Sequence, residues 1–97
     1  MNINDEQLRQ IESDFMARGL PPRMWGGIKR YLGGGIPPGD FLTALISNDL
    51  LGCVSHADDE NVLLLPEYIK FFYNAVPGTC WGSPELFENW INGSYLK

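Results

Sequence analysis

Val62-Leu63-Leu64-Leu65-Pro66-Glu67-Tyr68-Ile69-Lys70-Phe71-Phe72-Tyr73-Asn74-Ala75-Val76 is the stretch on which the fold turns. Its charges are Glu67 and Lys70, and apolar side chains fall on nearly every side of a 3.6-residue repeat. A helix that is apolar almost all round belongs in an interior. Residues 59–75 are therefore expected to form the central helix of an all-α domain. Asp58 or Asp59 caps it, with acids in the first turn, where the helix dipole favours them. Pro66 kinks or restarts it, and Pro77-Gly78 closes it.

Working outward, Ser83-Pro84-Glu85 is a helix start: serine as the cap, proline at the first position, an acid next. A helix over 84–92 would bury Leu86, Phe87, Trp90 and Ile91 and stop at Gly93. On the other side, Phe41, Leu42, Leu45 and Ile46 mark a helix near 38–55. Ser47-Asn48-Asp49 interrupts its apolar pattern, and Leu50, Leu51 and Val54 resume it. Met24, Trp25, Ile28, Tyr31 and Leu32 form one helical stripe over 22–32, with Pro22 at its start. Gly26-Gly27 weakens that helix by roughly 1 kcal/mol per glycine relative to alanine and suits close helix packing. Asn4 caps a helix over 5–18 whose buried face is Leu8, Ile11 and Phe15. No useful length of sequence alternates apolar and polar residues, so no sheet is expected. The fold class is thus all-α: a compact bundle of about five short helices in one domain over residues 1–97, with Leu45, Leu65, Ile69, Phe72, Trp90 and Ile91 largely buried.

The net charge of −5 is unevenly spread. Residues 15–39 carry Arg18, Arg23, Lys29 and Arg30 and no acid, whereas residues 40–97 carry eight acids against Lys70 and Lys97, a net −6. Such a chain lacks the broad positive face that phosphate backbones require, so direct nucleic-acid binding is not expected. One small anion remains within reach of the basic stretch. The alternative is that these cations pair with acids elsewhere on the surface. No apolar run approaches the ~20 residues that cross a bilayer, and the polar N-terminus has no basic n-region. The expected location is the cytoplasm, without membrane contact. Cys53 and Cys80 form no C-x-x-C and are expected reduced and buried.

No catalytic constellation stands out. His56 is the single histidine, which is a poor start for a metal site or a triad. It reads as a surface or helix-end residue, and neither metal nor cofactor is implied. Asp58-Asp59-Glu60 reads as a capped first turn rather than a cation site. The candidate ligand-binding residues are Arg23, Lys29, Arg30, Asn48, Asp49, Trp81, Gly82 and Ser83. Arg23, Lys29 and Arg30 lie just before Gly33-Gly34-Gly35, whose amides either cap the helix or meet a phosphate. Ser47-Asn48-Asp49 either bends its helix or faces a ligand. Trp81 either stacks on a base beside Ser83 and the helix amides or packs in the core while Ser83 caps.

Gly35-Ile36-Pro37-Pro38-Gly39-Asp40-Phe41-Leu42, Ser47-Asn48-Asp49-Leu50, Ala57-Asp58-Asp59-Glu60-Asn61, Tyr73-Asn74 and Cys80-Trp81-Gly82-Ser83-Pro84 together carry a resemblance. Over roughly residues 22–91 the chain resembles a family of small uncharacterised proteins from tailed phages and prophages. That family has no assigned activity, so the resemblance implies origin and transfers no catalytic residues. Small phage proteins without catalytic signatures often act against host defence, so a non-catalytic counter-defence protein in the infected bacterial host is expected. Two routes fit: a homo-oligomeric sponge that sequesters a nucleotide-like immune signal, or an acidic decoy that occupies a basic groove of a host defence complex, as an anti-CRISPR protein does. A structural or regulatory phage protein is a third reading, and an enzyme comes last.

Overall fold

The computed structural model describes residues 3–93. Its helices are α1 (Asp5–Ala17), α2 (Trp25–Gly34) after a 3-10 turn over Pro22–Met24, α3 (Asp40–Ile46), α4 (Leu50–His56), α5 (Asp59–Leu63), α6 (Leu65–Ala75) and α7 (Pro84–Asn92). Among the described residues there is no strand, and no helix is long and apolar enough to cross a membrane.

Local chemistry sets the helix starts. The Asn4 side chain accepts from the Gln7 N–H at 2.9 Å while the Gln7 side chain accepts from the Asn4 N–H at 3.0 Å, a reciprocal capping box. Asp49, Asp58 and Ser83 cap α4, α5 and α7 by accepting from the amides of Gly52, Asn61 and Leu86. Gly35, in the left-handed region at φ 68°, ends α2.

The core forms around Phe15, which is fully buried and has the rings of Trp25, Phe71 and Tyr68 at 5.4, 5.2 and 6.4 Å. Burying one such side chain contributes about 1.5–3 kcal/mol. A second aromatic group joins the far ends of the chain. Tyr31 stacks on Phe87 at 5.6 Å, its hydroxyl donates to the Cys80 carbonyl at 2.7 Å, and its own carbonyl accepts from Trp90 Nε1 at 2.7 Å. At Gly27 a Cβ would stand 3.3 Å from the Leu42 side chain, so the glycine lets α2 lie close to α3.

Two expected helices are each divided. The region 38–55 breaks into α3 and α4 because Asn48 turns left-handed at φ 62° and Asp49 then caps a new helix. The region 59–75 breaks at Leu64, and Pro66 lies in the first turn of α6, where its missing N–H costs nothing. The expectation that residues 62–76 form a centrally buried helix is corrected. Tyr68, Phe71 and Phe72 point inward, but Ile69 is 46% exposed and Tyr73 78%. Leu45, Phe72 and Trp90 are buried as expected, whereas Leu65 and Ile91 are only partly buried against the core. Cys53 and Cys80 are buried and free. Burial pushes the Cys80 thiol up to about 11, against the opposing Thr79 hydroxyl.

Candidate functional site

The repeat that gives α2 its buried face also gives it an outer one. Trp25, Ile28, Tyr31 and Leu32 are buried, which turns Gly26, Lys29, Arg30 and Gly33 outward at i, i+3, i+4 and i+7. Two adjacent cations are thus flanked, one turn to either side, by residues without side chains. They line a groove of about 470 Å³ together with Gly34, Asp5 and Leu8 of α1, Ile3 and Ile36. At Gly33 a Cβ would meet Leu8 at 3.0 Å, and at Gly26 one would stand 3.3 Å from the Arg30 guanidinium. Gly26 therefore seats that guanidinium against the helix. Among the described residues neither Lys29 nor Arg30 makes an ion pair.

The other cations of the basic stretch are engaged. Arg18 reaches Asp14 at 2.9 Å and Glu67 at 3.8 Å. Arg23 meets Asp58 at 2.7 Å and Glu60 at 2.8 Å, across 35 and 37 residues of sequence. Glu60 and Asp58 hold the Arg23 guanidinium above its ordinary value. The Asn61 amide and then Arg23 hold the Asp58 carboxyl below its own. Behind this clasp lies Asn61, the one buried polar side chain among the described residues, which accepts from the Tyr68 hydroxyl at 2.7 Å. Arg23, Asp40, His56 and Asp58 line a separate cleft here. His56 is exposed at the end of α4, as its sequence context suggested. No three His, Cys, Asp or Glu side chains among the described residues cluster as a metal site requires.

The remaining candidates lie elsewhere. Asn48 and Asp49 line an apolar groove between α4 and α6, with Asn48 making the turn and Asp49 making the cap. Trp81 is partly buried with its ring 5.5 Å from Phe72. The Gly82 N–H donates to the Ile46 carbonyl at 2.7 Å at φ 114°, and the Ser83 hydroxyl is occupied by the Leu86 amide. These three residues dock the start of α7 onto the end of α3.

The sequence-selected residues are thus not gathered into one pocket of a single chain. Lys29 and Arg30 stand together, Arg23 is held by acids, and Asn48-Asp49 and Trp81-Gly82-Ser83 serve the backbone. Sequence reading missed Gly26 and Gly33 as groove floor and Ile3, Leu8 and Ile36 as its apolar side. The helical period of the buried stripe was the signal that points to them. The groove offers two cations and the exposed apolar side chain of Ile36, with Asp5 as an opposing charge. That arrangement suits noncovalent binding of an anion carrying an apolar or ring portion. Comparison with models of known protein families, with characterised proteins and with solved structures finds no match.

Proposed function

We propose that this chain is a non-catalytic, phage-type counter-defence protein that sequesters a small anionic, nucleotide-like immune signal. One observation carries the reading. Lys29 and Arg30 line one groove on the outer side of α2, without ion-pair partners among the described residues. Free guanidinium and ammonium groups meet phosphate with charge-assisted hydrogen bonds. The groove volume falls within the range of small-molecule sites. Ile36, 50% exposed, replaces Trp81 as the apolar surface available to a base.

Calorimetric titration against a panel of cyclic di- and trinucleotides tests this. Wild type is expected to give binding heat, and Arg30→Ala to weaken binding by roughly 1.5–3 kcal/mol, about 10- to 150-fold. Lys29→Ala should weaken it as well, and thermal melting should show both variants folded. Folded wild type giving no heat with any member of the panel removes this reading.

A second reading rests on a different observation. Asp40, Asp49, Asp59, Glu85 and Glu88 are exposed and make no ion pair among the described residues. An excess of exposed, unpaired acids supports the decoy of a host defence complex, because complementary fields steer association. Absence of nucleotide binding together with salt-sensitive capture of a basic host effector would favour it.

A further inference from the structure

We propose that the outer face of α4 and α6 is the contact by which two copies of this chain associate about a two-fold axis. Leu50 and Leu51 are 72% and 78% exposed, Val54 is 51% exposed, and all three stand on α4. On α6, Ile69 and Tyr73 are exposed one turn apart, and Ile69 shares a groove with Leu50. Between the helices lies a predominantly apolar groove of about 230 Å³, to which Leu50, Leu65, Pro66 and Ile69 contribute. The face therefore holds both a ridge and a groove. A two-fold operation sets each ridge against the other copy's groove, which is the self-complementarity an isologous contact needs.

Charge selects a second copy over a charged partner. Every copy carries −5, so a self-association face must be nearly free of charge. Leu50 through Ala57 contains no acid, lysine or arginine. At the rim, Asp49 is occupied by the Gly52 amide, and Lys70 lies 3.6 Å from Glu67. The face is thus apolar inside a rim that carries the Asp49 charge, which gives a charged partner little to grip. Area agrees. From their exposures, the five side chains leave about 300–500 Å² of apolar surface per chain. A contact at the lower end of the stable range takes about 600 Å² per partner, roughly two-thirds of it apolar. The ridge is also held in place: a Cβ at Gly52 would strike the Asp49 carboxylate and stand 3.0 Å from Ala44, so α4 is seated tightly on α3.

Light scattering coupled to size exclusion, with the full chain at about 10 μM (a concentration at which standard interfaces persist), tests the assignment. The expected mass is twice the 10.9 kDa of one chain. Leu51→Glu and Ile69→Glu, on separate helices and both exposed in the monomer, should each return the mass to one chain with unchanged far-UV circular dichroism. A larger assembly supports the proposal only if both variants halve its mass. A monomeric wild type overturns it, as does an assembly that both variants leave intact. Should one variant lose its helical signal, the other decides.

Discussion

Replacing Tyr31 by phenylalanine removes one oxygen atom and leaves the ring. That ring is fully buried and stacked on Phe87 with 11° between the planes, so its packing survives the change. The hydroxyl does one thing, donating to the Cys80 carbonyl at 2.7 Å. Its loss leaves a buried carbonyl without that partner, which costs about 1–3 kcal/mol. For a domain of this size each kcal/mol lowers the melting temperature by roughly 4–8 °C, so a fall of about 5–20 °C is expected. Urea unfolding followed by far-UV circular dichroism should show a lower midpoint with an unchanged slope. Tyr73→Phe is the control. Its hydroxyl is on a residue 78% exposed, and the change should stay within about 0.5 kcal/mol. The loosened carbonyl also adjoins a thiol, so Cys80 in Tyr31→Phe should become more reactive through local opening. A Tyr31→Phe protein as stable as Tyr73→Phe would refute the claim that this bond anchors the chain before α7.

Both thiols should resist alkylation in the native protein and react once it unfolds. With Cys80 pushed up to about 11, about a thousandth of it is thiolate at pH 8, and fast native labelling at that pH would contradict the burial. Asp58 gives an acid dependence. Its carboxyl is held below the ordinary value in the folded chain, so its contribution is present at neutral pH and lost as pH falls through the carboxylate range below about 4. Asp58→Ala should flatten that part of a melting-temperature-against-pH curve, and an unaltered slope would count against the clasp. Asn48→Gly should be near neutral at φ 62°, while Asn48→Val should cost about 1–2 kcal/mol in thermal unfolding.

Periodicity and capping chemistry make much of the helix pattern legible in the sequence. The stripe from Trp25 to Leu32 and the caps at Asn4, Asp58 and Ser83 are local properties, readable within a few residues of sequence. The breaks were harder. Ser47-Asn48-Asp49 was visible as an interruption, but whether it bends a helix or ends it depends on a single left-handed residue. Around Leu64 the apolar run continues through the break, so periodicity alone could not separate α5 from α6. That misreading also placed Ile69 inside. A run apolar on every side is buried only if neighbours exist to cover every side, and a chain of 97 residues supplies them on one. The site suffered from a different kind of distance. Pairing of the basic stretch with surface acids was open from the sequence, but the partners of Arg23, Asp58 and Glu60, lie 35 and 37 residues away, beyond any local pattern.

The two faces of α2 divide the work of folding from the work proposed for the groove. Trp25, Ile28, Tyr31 and Leu32 face inward and are held by rings and hydrogen bonds, so changing any of them disturbs the core. Lys29 and Arg30 face outward without ion pairs among the described residues, and surface charges of this sort move stability by less than about 0.5 kcal/mol. Arg23 contrasts with them, because its removal frees two acids and loosens the start of α5 together. Loss of ligand binding in Lys29→Ala or Arg30→Ala at unchanged melting temperature would therefore report the groove itself. The same loss in Arg23→Ala would report the scaffold. Gly26 falls between the two: a Cβ there would stand 3.3 Å from the Arg30 guanidinium and nudge it without entering the core, so Gly26→Ala should change binding modestly while the helix holds.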